Sequence, residues 1–289
     1  MSYKQDWIYW DQRTGKVKVD YKISSLRQFQ EELLINATTI RESFTGQFDF
    51  FFSGGISSQV ALYSFIKSKI PVNIFIGRFG TANQRDVETA TSIVQSLNLN
   101  FKIIDLDIDN FFENEADKLF LNNVSFDVTK LLTAKLTTYS DNIPVIAGKE
   151  PYVFRPSYDY SDQKDWQVKF TEDDFYFEYF LKDRPAVSNW SMYSPELILA
   201  LLEEPSIVDL LNNKFLKKFS IVSTRNTIFK EIYPQMIPRL AQTGLEQTEF
   251  PWLMPDSVIN FFKEKVQESK QFREPNYFPV PKFIDLFKN

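Results

Sequence analysis

The run in this chain best suited to chemistry is Ser53-Gly54-Gly55-Ile56-Ser57-Ser58. Two adjacent glycines allow backbone angles closed to other residues and let a ligand approach the main chain. Ser53, Ser57 and Ser58 add hydroxyl donors. The stretch from Asp49 to Phe52 reads as a buried strand, and Ala61, Leu62, Phe65 and Ile66 recur at helical spacing after the turn. In such a strand, turn and helix the amides of Gly55 to Ser58 point outward at a helix N-terminus. Unpaired N–H groups and the helix dipole favour bound phosphate there. A tight turn between packed elements, with no ligand, gives the same pattern.

Composition limits what other chemistry is open. The 289 residues contain no Cys and no His. Disulfides, thiolate zinc sites, histidine bases and histidine metal ligands are therefore excluded, leaving carboxylates, Lys, Arg, Tyr, Ser and metals on oxygen ligands. The formal net charge is −5 and no Lys/Arg run stands out, so the electrostatic footprint of a nucleic-acid binder is missing. No apolar run approaches the ~20 residues that span a bilayer, and Met1 to Asp6 lacks the apolar core of a signal peptide. The expectation is a cytoplasmic globular protein with no membrane partner.

The elements around the loop set where it sits. Residues 1–44 read as a hairpin and a helix. Trp7 to Trp10 and Val17 to Tyr21 flank a Gly15 turn, Ser25 and Gln28 form a capping box, and Leu26, Phe29, Leu33, Ala37 and Ile40 share a helix face. Aromatic residues in such a hairpin either stack on a ligand or pack on a neighbouring element. Residues 45–150 alternate strands with helices. Pro71 to Ile76, Phe101 to Leu106 and Ile143 to Ala147 are the further strands, with helices over Asp86 to Leu97, Phe111 to Asn122 (Asp109 as cap) and Val128 to Tyr139. Such alternation predicts a parallel α/β sheet whose ligands lie beyond the carboxyl ends of its strands, with Ser53 to Ser58, Arg78 and Asp105 on one rim. Asp105, Asp107 and Asp109 are either a carboxylate set for magnesium or acidic side chains on the wet face of a strand end. Residues 151–289 lose the alternation and read as mainly helical. A strand over Trp166 to Phe170 is the exception, and helices open at Ser194-Pro195 and at Ser206 with Asp209.

The loop resembles the Ser-Gly-Gly-x-Asp-Ser pyrophosphate loop of the PP-loop ATP pyrophosphatases. The second βαβ unit and the helical region after it are similar to the synthetase part of asparagine synthetases. The resemblance implies a Rossmann-like sheet of the adenine-nucleotide alpha-hydrolase (HUP) type. It also implies ATP and Mg²⁺ as cofactors, and cleavage of ATP between its α and β phosphates to activate a substrate oxygen as an adenylate. Ser53, Gly54, Gly55, Ile56, Ser57 and Ser58 would then hold pyrophosphate. Gly77 and Arg78 match, by order along the chain, the positions that hold adenine and ribose. Gly148 and Glu150 are comparable to a Gly-Glu-Gly-Ala-Asp-Glu motif, with the Glu offset by one. Asp105 and Glu150 are the carboxylates left for the metal. Lys149 could supply charge to phosphate in a metal's place, or be a solvated loop lysine. Lys218, Arg225 and Lys230 are the cationic candidates for an acyl-adenylate or its oxyanion.

Two departures qualify the resemblance. Where the family has Asp, this chain has Ser57, a poorer ligand for a hard cation. Nucleotide binding survives that change more readily than turnover does. Residues 1–44 are also too short for the glutaminase domain of glutamine-dependent asparagine synthetases and hold no Cys for its nucleophile, so none is expected there, and the absence of Cys argues against the cysteine-dependent branches of the superfamily. The implied reaction joins a small-molecule carboxylate to an amine or ammonia, drawn from solution or a separate glutaminase, with release of AMP and pyrophosphate. The alternative is a catalytically degenerate PP-loop protein that serves as a nucleotide-binding or structural module.

Overall fold

The computed structural model describes residues 7–11, 13–20, 23, 25–119, 127–148, 152–154, 166–212, 220–237, 255–268 and 276–288. The chain opens with the antiparallel hairpin β1 (Ile8–Asp11) and β2 (Lys16–Val19). Trp7 and Trp10 are buried, and the Trp7 Nε1–H donates to the Met192 carbonyl at 2.9 Å. The hairpin aromatics thus pack on a neighbouring element. Helix α1 (Phe29–Ser43) buries Phe29, Leu33, Ala37 and Ile40, the face expected from spacing. Its capping box does not form. Ser25 is exposed, and Gln28, itself in extended backbone, is the N-cap and makes no side-chain cap bond. Glu32 reaches back instead, accepting from the Arg27 amide at 3.1 Å.

A parallel four-stranded sheet follows, assembled from β3 (Phe48–Phe51), β4 (Val72–Arg78), β5 (Phe101–Asp105) and β6 (Ile143–Ile146) in the order β5-β4-β3-β6. Helices α2 (Ile56–Lys67) and α3 (Gln84–Ser96) make the first two crossovers. They pack with α1 on one face, over Phe48, Phe50, Ile74 and Ile76. The chain then returns across the other face through α4 (Ile108–Asn114), α5 (Ala116–Leu119) and α6 (Val128–Thr137), burying Phe51 and Ile104 under Leu131, Leu132 and Leu136. The single helix expected from Phe111 is this α4–α5 pair. It starts earlier because Asp107, not Asp109, caps it, accepting from the Asn110 amide at 3.0 Å. Asp127 caps α6 through the Thr129 amide at 2.8 Å and the Thr129 hydroxyl at 2.6 Å.

This is the Rossmann-like α/β arrangement, with strand order reversing between β3 and β6. Asp49 is buried in β3 and explains itself. Asn73, its register partner, donates at 2.8 Å, Ser140 at 2.7 Å and Asn142 at 3.0 Å, so the carboxylate is fully hydrogen-bonded far from the loop.

The remainder is mainly helical but includes a separate three-stranded sheet. Strands β7 (Tyr152–Phe154) and β8 (Gln167–Phe170) pair antiparallel. Helices α7 (Tyr176–Phe180), α8 (Pro195–Leu202), α9 (Pro205–Asn212), α10 (Ser220–Ile232) and α11 (Asp256–Glu268) follow, then β9 (Asn276–Pro279) on the other edge of β8, and α12 (Val280–Lys288). Ser194 caps α8 as expected, accepting from the Leu197 amide at 3.1 Å. The helix expected from Ser206 instead starts at Pro205, which puts Ser206 inside its first turn. Trp7, Trp10, Trp166, Phe170, Phe283 and Phe287 form a common core under the hairpin.

Candidate functional site

The reversal of strand order falls between β3 and β6, and open α/β sheets bind ligands beyond the carboxyl ends of their strands at such a point. The Ser53–Ser58 loop leaves β3 at this point. Gly54 takes φ +72° and lies against α3, where a Cβ would come within 3.1 Å of the Ala90 nitrogen. Gly55 differs: it is the N-cap of α2, has extended backbone angles, and a Cβ there would meet only the Ser53 Oγ at 3.4 Å. The first glycine makes the turn, and the second leaves the helix start open to approach. Ser58 is buried and its Oγ accepts from the Ser53 amide at 3.2 Å, while Ser53 is exposed and its Oγ accepts from the Gly55 amide at 3.4 Å. Ile56 and Ser57 are half-buried on the first turn of α2. Helix N-termini of this build hold anions through main-chain N–H groups.

On the β6 side of this point Gly148 follows the strand with φ +70°, and a Cβ there would overlap Asn189 Oδ1 at 2.0 Å. The segment around Val187 runs parallel to β6, and the Ser191 amide and hydroxyl both donate to the Ala147 carbonyl, at 3.0 and 3.1 Å. Asn189 and Ser191 therefore join the rim, which single-sequence reasoning missed because the pairing spans more than forty residues. Lys149 and Glu150 lie outside the described residues, as does Lys218.

A cavity of about 110 Å³ opens beside the loop at the ends of β3 and β4. Phe51, Phe75, Phe79, Val87 and Leu136 form its apolar wall, and Ser53, Asn83, Asp86, Thr129 and Thr133 bring polar groups to it. Gly77 lies close under this wall: a Cβ there would come within 2.3 Å of Leu136 Cδ1, so a larger residue would have to displace that side chain. Buried Asn83 holds the turn after β4: its Oδ1 accepts from the Phe79 amide at 2.7 Å and its Nδ2 donates to the Gly77 carbonyl at 2.9 Å.

The acidic trio is dispersed. Asp105 takes both of its hydrogen bonds from Arg78, through Nε and through Nη2 at 2.7 Å. These bonds hold the Asp105 carboxyl below its usual range and raise the guanidinium. Asp107 caps α4, and Asp109 accepts from the Ser257 hydroxyl at 2.6 Å. Among the described residues no group of three acidic side chains is gathered for a metal. Arg78 and Asp105 do stand on the same rim as the loop. Lys230 is exposed on α10, apart from the helix's buried Ile228 and Phe229, and Arg225 lies over the Phe229 ring at 5.7 Å.

No protein-family model matches this chain, and no curated protein sequence does. Among solved structures it aligns with an NMN synthetase from Francisella tularensis at 13% identity and TM-score 0.33, covering 86% of this chain and 97% of that one. An NH3-dependent NAD synthetase from Campylobacter jejuni subsp. jejuni, in complex with the nitrate ion, aligns at 15% identity and TM-score 0.33, covering 83% and 93%. A glutamine-dependent NAD+ synthetase from Acinetobacter baumannii, in complex with ADP, aligns at 15% and 0.32, covering 83% of this chain and 52% of that one. Similarity at these values transfers neither ligand nor activity to this chain.

Proposed function

We propose that this chain binds ATP at the carboxyl edge of its parallel sheet and acts as an asparagine-synthetase-like adenylating ligase. On this reading it joins a small carboxylate substrate to an amine or ammonia and releases AMP and pyrophosphate. The observation that carries the reading is the Gly54-Gly55 turn itself. It sits at the point where strand order reverses, with one glycine in a left-handed conformation and the next leaving the start of α2 approachable. Loop amides and serine hydroxyls would hold the pyrophosphate, and Arg78 the nucleotide. Mg²⁺ would sit on phosphate oxygens with Glu150 or Asp105, and Lys149 and Lys230 would supply positive charge. The protein's part is positioning and charge neutralisation rather than covalent chemistry.

A second reading, a nucleotide-binding module without turnover, is favoured by one feature: Ser57 supplies a neutral hydroxyl where the PP-loop enzymes have a carboxylate. One experiment separates the two. Thermal stability is measured with ATP, ADP, AMP and GTP, each with and without Mg²⁺, and pyrophosphate release is followed for the natural chain and Ser57→Asp. A ligand at a hundred times its dissociation constant adds about 2.7 kcal/mol, a shift of several degrees. An ATP-selective rise that grows with Mg²⁺, with pyrophosphate release, is the expected result. A rise indifferent to Mg²⁺, without release in the natural chain, selects the binding module, and no rise with any nucleotide removes both.

A further inference from the structure

The first turn of α2 carries a buried polar side chain that the anion loop alone does not explain. Gln59 is fully buried, and its amide makes three hydrogen bonds, all to main chain. Nε2 donates to the Gly54 carbonyl at 2.9 Å and to the Ile237 carbonyl at 2.7 Å, and Oε1 accepts from the Ile237 amide at 3.0 Å. The side chain thus pairs with Ile237 as a strand residue would, while its second N–H holds the loop. Further along α2 the Ser64 hydroxyl is 2.9 Å from the Tyr233 hydroxyl, and the Tyr63 and Tyr233 rings lie 5.5 Å apart. The Lys67 ammonium sits 4.5 Å from the Tyr233 ring centroid. One side of α2 is therefore seamed to the end of α10 and the residues after it, and Gln59 is the point where that seam reaches the loop.

A trans peptide is planar, with its carbonyl and N–H directed oppositely. Fixing the Gly54 carbonyl toward Gln59 therefore aims the Gly55 N–H away from it, toward the hydroxyl of exposed Ser53. Among the described residues that N–H has only a long bond to the Ser53 hydroxyl, 3.4 Å, which an anion can replace. We propose that Gln59 is a positioning residue that aims the Gly55 amide at a bound phosphate and ties that aim to the seating of the Tyr233–Ile237 segment. The inference rests on the phosphate-binding reading of the loop. It adds that the loop and the end of α10 act as one unit.

The test compares the natural chain with Gln59→Met, which keeps the volume and loses the three bonds, and with Ser64→Ala, which loosens the same seam without touching the loop. Hydrogen exchange is read in peptides covering 53–60 and 230–237, with and without inorganic pyrophosphate, alongside pyrophosphate affinity by calorimetry. Without ligand, Gln59→Met is expected to speed exchange in both segments by roughly tenfold, and Ser64→Ala only in the second. Pyrophosphate is expected to slow exchange in both segments of the natural chain, and to bind Gln59→Met roughly tenfold more weakly and Ser64→Ala unchanged. Loop exchange that ignores Gln59→Met overturns the proposal, and so does pyrophosphate affinity within twofold of the natural chain. A natural chain that binds neither pyrophosphate nor ATP, yet keeps the coupled exchange, overturns the phosphate reading and the aiming of Gly55 while leaving the loop–segment coupling established.

Discussion

Arg78 and Asp105 are register partners at the ends of β4 and β5, and the guanidinium grips both carboxylate oxygens, through Nε and through Nη2 at 2.7 Å. The cation and the anion that the proposed function assigns to nucleotide and metal thus occupy one another at rest. Both are well exposed, so the pair is a poor stability element and an exchangeable one. Asp105→Asn is expected to free Arg78 for phosphate, raising ATP affinity in EDTA by about two- to fivefold while lowering the further gain from Mg²⁺. Arg78→Ala is expected to do the reverse. Calorimetric titration of ATP with and without Mg²⁺ checks both, and equal effects from the two variants would remove the reciprocal roles.

The two glycines of the loop should separate stability from binding. Gly54→Ala meets a left-handed φ and the Ala90 backbone at 3.1 Å, which together cost about 2–3 kcal/mol. Gly55→Ala has neither problem and, as an N-cap change, should cost less than about 1 kcal/mol. Its methyl group faces the space where a phosphate would approach. The expected outcome is a melting temperature several degrees lower for Gly54→Ala. For Gly55→Ala the expected outcome is a nearly natural melting temperature with ATP affinity reduced about tenfold or more.

What the sequence disclosed and what it hid divide along contact distance. The unit Phe48 to Lys67 was legible because strand, turn and helix signals lie within twenty residues and are backed by burial on both faces. The strands β4, β5 and β6 were legible for the same reason, and so was the buried face of α1. Gln59 was not, because on a helical wheel it is only a polar residue, and its partner Ile237 is 178 positions away. Strand β8 was legible over Trp166 to Phe170, but its partners β7 and β9 were hidden likewise, since Gln167 pairs with Pro279 across more than a hundred residues. The alternation of Asp105, Asp107 and Asp109 left two readings open, and the roles of the last two acids depend on where the strand stops. The strand ends at Asp105, and the next two acids serve a helix cap and a helix–helix contact.

Buried Glu32 gives a pH dependence with a definite sign. Burial raises its pKa above 4.5, with the Glu196 carboxylate adding to the rise and the Arg27 amide opposing it. A raised folded-state pKa contributes stability that is complete below the unfolded value and is lost as pH climbs through the folded one. Melting temperature should therefore gain from this group as pH falls from 7 toward 4.5. Glu32→Gln keeps an acceptor for the Arg27 amide and removes the charge. It is expected to melt higher than the natural chain at pH 7 and to show a flatter profile down to pH 4.5. An unchanged slope would mean that the carboxylate is solvated well enough to ionise normally.

The helices α2 and α3 end alike, and the shared ending makes a prediction independent of any ligand. Lys69 and Asn98 both take left-handed backbone angles, φ 56° and 53°. Each lets the next amide reach back into the helix, Ile70 to the Phe65 carbonyl at 2.9 Å and Leu99 to the Val94 carbonyl at 3.0 Å. This is the ending that glycine favours, and a side chain there costs about 1–2 kcal/mol, less for Asn, which tolerates the conformation. Part of the relief is returned as extra freedom of the unfolded chain, about 0.5–1 kcal/mol for glycine. Lys69→Gly is expected to stabilise by about 0.5–1 kcal/mol, a rise of roughly 1–4 °C, and Asn98→Gly by less. Both positions precede strands at the amino edge of the sheet, opposite the loop. Their ATP affinity should stay at the natural value, and a change in it would show that the two edges are coupled through β4.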